Sequence, residues 1–157
     1  MAAPTPSTRG TPAGFRIPDG WVSKISFARN TTVGLWEVGV QPAAMAVPTI
    51  DISTMHNVRR KTKAPGGLIE DGDLEVSAAY DPSQIEDIEE LVGIPGSITQ
   101  LWPDGTTKTF FGFLGAWKPE KLEAAKFPMA AATIVQTNYD PVARVEAAPV
   151  WANASGT

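Results

Sequence analysis

Alternation of apolar and polar residues predicts that most of the chain folds as β-strands. The clearest case is 74–80, where every second residue from Leu74 is apolar and the polar Glu75 and Ser77 lie between them. A period of two over this length is typical of a strand with one buried face. Weaker alternation predicts further strands at 21–27, 33–40, 49–54 and 129–139.

The stretch 33–40 carries its large apolar residues at every second position. Trp36, Val38 and Val40 are therefore expected to share one face of a strand.

A β-hairpin is predicted for residues 97–117, around Pro103-Asp104-Gly105. Proline presets the first turn position, and Asp-Gly tolerates the positive φ of a tight hairpin turn. The second strand is apolar on both faces, which is unusual for a strand with one face in water. One face therefore packs on the core and the other meets a helix or another subunit. We assign Phe110 and Leu114 to a contact with another subunit.

One helix is predicted, beginning after Asp81-Pro82-Ser83-Gln84. An Asp at the N-cap, Pro at the first helical position and Gln three residues after the cap form a capping-box pattern. An apolar stripe follows at helical spacing, and Gly93 and Pro95 end it. A single short helix cannot cover both faces of a sheet. The expected fold is mainly β, a β-sandwich or curled barrel with one flanking helix.

The domain is expected to span residues 19–146. Residues 1–18 hold prolines, glycines and threonines with only Phe15 and Ile17 as large apolar residues, which indicates a flexible N-terminal arm that contacts another subunit. Residues 147–157 have a similar composition and are interpreted as a C-terminal tail.

A long irregular stretch, 42–72, separates two predicted strands. Long connections in compact domains are usually functional or disordered. This one carries spaced apolar residues, which need a surface to bury against. The basic residues of its middle part make either a solvated or interface loop or, as an alternative, a phosphate-binding patch. The expected contacts with a neighbouring subunit are Ile50, Ile52, Arg59, Arg60, Lys61, Lys63 and Leu68.

Composition excludes several chemistries. The chain has no cysteine, so disulfides and Cys-based zinc sites are excluded, and His56 is its single histidine. The sequence contains no P-loop, no dinucleotide fingerprint and no nucleophile elbow, so we expect no enzyme, no cofactor and no resident metal. No segment has the ~18 apolar residues of a membrane span or the apolar core of a signal peptide. The net charge of −4 disfavours general nucleic-acid binding.

Two short motifs follow one another in the chain, Pro48-Thr49-Ile50-Asp51-Ile52-Ser53 and the loop 63–72. They resemble the "P-x-ID-x-T/S" segment and the "K-x-PG-L-x-D-x-G" loop of the major tail tube proteins of long-tailed bacteriophages. The strand ending in Asp81-Pro82, the hairpin and the Ala-rich strand follow in the same order. The resemblance covers about residues 20–140. The basic run 59–63 is denser than the family pattern, and the N-terminal arm lies outside it.

The resemblance implies a subunit of hexameric rings that stack into a tail tube, the conduit for DNA. It implies a tape measure protein and tail terminator or tip proteins as partners, no membrane, and a place in the virion after assembly in the host cytoplasm. DNA has to pass without sticking, so we expect a bore poor in Lys and Arg and a helix on the outside. The polar strand faces supply the candidates for the bore: Glu75, Ser77, Thr107, Thr109, Thr133 and Thr137.

Two alternatives stay open on sequence. One is a monomeric β-sandwich that binds a glycan or Ca²⁺, for which the close acids Glu70, Asp71, Asp73 and Glu75 are candidate ligands, although a solvated turn explains them more simply. The other is the ring protein of a related bacterial injection system, which shares the tube fold.

Overall fold

The structure is a computed structural model that describes residues 23–153. Its described strands, in chain order, are β1 (Lys24–Phe27), β2 (Trp36–Gln41), β3 (Met45–Ala46), β4 (Thr49–Asp51), β5 (Lys63–Pro65), β6 (Glu70–Asp71), β7 (Leu74–Ala79), β8 (Gly96–Leu101), β9 (Thr107–Pro119), β10 (Met129–Gln136), β11 (Tyr139–Asp140), β12 (Val145–Glu146) and β13 (Val150–Ala152). One α-helix, α1 (Ile85–Leu91), follows a 3₁₀ turn, Pro82–Gln84.

Seven strands form one antiparallel sheet in the order β1-β8-β9-β10-β7-β2, with β13 also paired to β9. Both β8 and β13 pair with the first residues of β9, so β13 lies on the side of β9 that β10 occupies further along. The remaining strands form small two-stranded pairs, β3 with β6, β4 with β5 and β11 with β12.

The sheet curls so that its two edge strands approach each other. The backbone N–H of Ile25 in β1 donates to Oε1 of Glu37 in β2 over 2.8 Å. Apolar side chains on the inner face form the core, which includes Ile25, Leu74, Val76, Ile98, Phe110, Leu114 and Ile134. The mainly β, curled-barrel prediction is confirmed.

The predicted helix is confirmed, and its cap differs in one detail. Asp81 caps the first turn by accepting from the hydroxyl of Ser83 at 2.6 Å and from the Ser83 backbone N–H at 3.0 Å. These two hydrogen bonds, the hydroxyl first, hold the pKa of Asp81 below its usual value. Gln84 does not return to the cap: its Oε1 accepts from the Gly34 backbone N–H at 3.1 Å. The apolar side chains of Ile88 and Leu91 pack into the core.

The predicted hairpin is also confirmed. Its turn is closed by the Gly105 N–H bonding the Trp102 carbonyl at 2.9 Å, with Gly105 at φ 86°. Asp104 accepts from the Thr106 N–H at 2.9 Å and stiffens the turn.

The prediction that Trp36, Val38 and Val40 share one face of a strand is wrong. The register between β2 and β7 shifts between Glu37 and Gly39, which is a β-bulge. Because a bulge inserts an extra residue, Val40 packs against the core while Trp36 and Val38 are exposed.

The assignment of Phe110 and Leu114 to a subunit contact is also corrected. Their side chains are 2% and 1% exposed and belong to the core of their own chain. The opposite face of β9 carries Phe111 and Phe113, which are half-buried. The sequence pattern of β9 shows two apolar faces, but it does not determine which of them the rest of the chain covers.

The structure describes the C-terminal end of the predicted domain but not the N-terminal arm. The expected N-terminal arm, with Phe15 and Ile17, lies outside the described residues. At the other end β13 joins the main sheet, so the β domain extends past residue 146 into the expected tail. Trp151 of β13 stacks on Trp102 with ring centroids 6.0 Å apart.

Candidate assembly surfaces

The long segment between β2 and β7 is a two-stranded ribbon that leaves the body of the domain; we call residues 42–73 the ribbon. It continues the β2–β7 ladder in register, because Gln41 pairs with Glu75 and Met45 pairs with Asp71. Beyond that, β4 pairs with β5. The predicted strand at 49–54 is therefore real, and the stretch expected to be irregular is a long hairpin.

The far end of the ribbon, residues 53–62, is held by one asparagine; we call this the ribbon tip. Nδ2 of Asn57 donates to the Arg60 carbonyl and to Oγ1 of Thr62, both at 2.8 Å. Its Oδ1 accepts from the Thr54 N–H at 2.9 Å. An asparagine that bonds backbone on both sides is a turn signal, and sequence reasoning passed over it.

The tip presents apolar and basic side chains to solvent. Met55 and Val58 are 101% and 91% exposed. The predicted contact residues on the ribbon are all exposed as well: Ile50, Ile52, Arg59, Arg60, Lys61, Lys63 and Leu68. Their one described ion pair joins Lys61 to Asp51 at 3.9 Å with both side chains largely in solvent, so it contributes little.

The predicted bore residues lie together on the outer face of the main sheet, the face opposite the core. The cross-strand pairs Glu75–Thr133 and Thr99–Thr109 show this, and the two threonine hydroxyls are 3.2 Å apart. The six candidates are Glu75, Ser77, Thr107, Thr109, Thr133 and Thr137. The helix packs on the core side of the sheet, so the helix and the outer face lie on opposite sides of the sheet.

The outer face also holds residues that sequence reasoning did not place there. Phe113 pairs with Val135, and Phe111 pairs with Ser97, which puts half-buried apolar side chains among the threonines. Lys118, opposite Ala131, adds a positive charge near one end of the face.

A shallow groove opens where β2 begins, with a volume of about 340 Å³. Its lining residues are Leu35, Trp36, Glu37, Val38, Ala79 and Phe127. Trp36 and Phe127 are 63% and 68% exposed. The indole N–H of Trp36 points to Oδ2 of Asp81 at 3.4 Å. Sequence reasoning missed this groove because it placed Trp36 on the same strand face as Val40 and did not foresee the bulge between them.

A buried polar chain runs beneath the root of the ribbon. Nζ of Lys108 donates a hydrogen bond to Oε1 of Gln136 at 3.1 Å. Nε2 of Gln136 donates to Oδ1 of Asn138 at 2.8 Å. Nδ2 of Asn138 in turn donates to Oδ2 of Asp71 at 2.6 Å. Lys108 is 4% exposed, and burial lowers its pKa while the carboxylate of Asp71 partly opposes that shift. Its ammonium also lies 5.5 Å from the ring centre of Trp151, a cation–π distance.

The acids proposed as Ca²⁺ ligands do not gather around one point. Glu75 lies on the outer face, whereas Asp71 belongs to the buried polar chain. Among residues 23–153, no group of three His, Cys, Asp or Glu side chains is placed to hold a metal ion. No helix within that range is long and apolar enough to cross a membrane.

Comparison with solved structures shows a shared fold. A chain of the sheath/tube terminator of an extracellular contractile injection system (PVC, extended state) superposes with a TM-score of 0.63 at 11% identity, covering 88% of this chain and 97% of that one. A chain of the PVC sheath-tube complex gives 0.61 at 12% identity, covering 89% and 93%. A chain of the anti-feeding prophage baseplate gives 0.55 at 9%, covering 84% and 91%.

No protein-family model matches the sequence, and no curated protein matches it. The solved structures have identities so low that they establish the fold alone. That fold, mainly β with one short helix, is shared with these chains of contractile injection systems.

Proposed function

We propose that this chain is a structural subunit of a phage-tail-like tube, forming six-fold rings that stack into a conduit. The observation that carries the proposal is the ribbon: a projecting hairpin with exposed apolar and basic side chains, on a fold shared with chains of contractile injection systems. Exposed apolar side chains of this kind are typical of a surface that contacts another molecule.

The outer face of the sheet supports the bore assignment. Its polar candidates are threonines, a serine and one glutamate, which keep water beside a passing polymer without binding phosphate. The helix, with acids at Glu86, Asp87, Glu89 and Glu90, lies on the other side of the sheet. In this arrangement the helix is on the outside of the tube.

Two finer versions of the proposal differ in cargo. In the first, favoured by the sequence resemblance, the tube belongs to a long-tailed phage virion, conducts DNA and works with a tape measure protein and a terminator or tip protein. In the second, favoured by the structural matches, the tube belongs to a bacterial injection system. Both assign the chain a structural role without catalysis.

Negative-stain microscopy of the purified chain at high concentration tests the shared proposal. Six-fold rings or tubes are the expected result. A monodisperse monomer at every concentration, with a melting temperature raised by Ca²⁺ or a sugar, would instead establish the binding-module alternative. Isolating the native particle separates the two versions, because a DNA-filled head is found only on a phage.

A further inference from the structure

The ribbon and the groove lie at opposite ends of the same pair of strands. The ribbon begins after Gln41, which pairs with Glu75, whereas the groove is at the Trp36–Ala79 pair. Six strand residues rise about 20 Å, so the groove of a chain lies behind the root of its own ribbon. Any contact between a ribbon tip and a groove therefore joins two copies.

The two surfaces match in chemistry. The groove is apolar at Trp36, Val38 and Phe127 and is bordered by the carboxylate of Asp81, which accepts from the indole N–H of Trp36. The ribbon tip is apolar at Met55 and Val58, and basic residues follow directly. Within residues 23–153, neither Asp81 nor Arg59 forms an ion pair.

We propose that the groove of one copy receives the ribbon tip of the next copy, with Met55 or Val58 against Trp36 and Phe127. The contact is heterologous, since it joins two different surfaces head to tail, and such contacts propagate rather than close on a pair. It rests on the proposed function and names the receiving surface for the ribbon: the start of β2, beside the beginning of the helical segment.

Disulfide trapping tests the contact, because the native chain has no cysteine to interfere. A Met55→Cys chain mixed with a Phe127→Cys chain is oxidised under assembly conditions and run on a non-reducing gel. A crosslinked dimer is expected from the mixture, and a ladder from the double variant that carries both. Met55→Cys mixed with Thr109→Cys is the matched control, because Thr109 lies on the outer face of the sheet.

A second pair of variants measures what the contact contributes. Phe127→Ser is expected to reduce tube formation at least tenfold with an unchanged melting temperature, since this side chain is already exposed. Leu122→Ser removes a similarly exposed apolar side chain from the same loop, outside the groove, and is expected to assemble normally.

The possible outcomes distinguish a failure of the proposed function from a failure of the docking contact. If the unmodified chain forms no rings or tubes, the proposed function and this contact both fail. Two crosslinking results would overturn the docking contact alone, in a chain that still forms tubes. In one, the Met55→Cys chain crosslinks to the Thr109→Cys chain instead of the Phe127→Cys chain. In the other, it crosslinks to neither. Equal assembly of the two serine variants would also overturn it.

Discussion

Ile25 and Glu37 join the two edges of the curled sheet through a side chain, with 2.8 Å between the Ile25 nitrogen and Oε1 of Glu37. Edge strands with unpaired backbone groups promote aggregation. The β-bulge at Glu37 breaks the regular ladder, and here the Glu37 carboxylate takes over the role of a backbone acceptor. Glu37 is therefore a closing element of the barrel.

Replacing Glu37 by Gln is expected to remove a contribution to stability that falls as pH rises. Burial raises the pKa of Glu37 above 4.5, so the folded state holds its proton more tightly than the unfolded state. Unfolding free energy attributable to this group therefore falls as pH rises from 4.5 through the folded pKa. Denaturant titrations from about pH 4 to pH 7 should show that the difference in unfolding free energy between the native chain and Glu37→Gln, which keeps an acceptor oxygen, falls as pH rises. Glu37→Ala should lose about 1–3 kcal/mol at neutral pH, because the Ile25 N–H is left unpaired.

Replacing Lys108 by Met is expected to change how stability depends on pH at high pH. Because burial lowers its pKa from 10.5, the unfolded chain binds more protons than the folded chain between the folded pKa and 10.5. The contribution of Lys108 to stability therefore increases as pH rises through that interval. The difference in unfolding free energy between the native chain and Lys108→Met isolates this effect from other titrating groups. A difference that is constant with pH would show that the pKa of Lys108 is the same in the folded and unfolded chain.

Removing the basic charges of the ribbon is expected to impair assembly and leave the fold intact. Arg59, Arg60, Lys61 and Lys63 are exposed, and changing all four to Ser removes one weak ion pair within the chain. Each contact with acids of another copy contributes only about 0–1 kcal/mol, but a ring repeats it in every subunit. Light scattering should show a higher concentration threshold for polymerisation, with a nearly unchanged melting temperature. Normal tubes from this variant would contradict an electrostatic role for the ribbon.

If the tube conducts DNA, as the phage version of the proposed function has it, adding positive charge to the outer face is expected to slow DNA passage without blocking assembly. Thr107→Lys and Thr133→Lys would place ammonium groups where threonines now lie half-buried on the outer face. Each phosphate contact adds affinity by releasing counterions. Particles carrying these changes should release DNA more slowly, with the delay shrinking as salt rises. A density map in which Arg59, Arg60, Lys61 and Lys63 line the bore would refute the assignment of this face.

Changing Gly112 to Ala is expected to destabilise the sheet by about 1–3 kcal/mol. A Cβ at this position would collide with the backbone carbonyl oxygen of Val135, across the β9–β10 ladder. Backbone cannot move aside as a flexible side chain can. Gly39→Ala is the matched control, because a Cβ there meets nothing within 4 Å. Thermal unfolding of the two variants compares them directly, and equal melting temperatures would rule out the clash.

The sequence by itself determined the elements whose causes are local. The alternation of 74–79, the turn at Asp104-Gly105 and the cap at Asp81 each depend on residues close together in the chain, and each is confirmed. The spaced apolar residues of 42–72 were predicted to need a neighbouring surface; their large side chains are exposed in this chain, and their burial against a neighbour stays a prediction.

Tertiary structure decided which surfaces face the core and which remain free. Phe110 and Phe111 are equally apolar in sequence, and only the curl of the sheet places the first inside. A one-residue bulge between Glu37 and Gly39 placed Trp36 and Val40 on opposite faces and left Trp36 lining the groove, although alternation had predicted one shared face. Trp151 contacts Trp102 because β13 pairs with β9, two strands that are far apart in the chain. Each of these outcomes depends on contacts between distant residues, and a pattern read along the chain carries no information about which distant face it will meet.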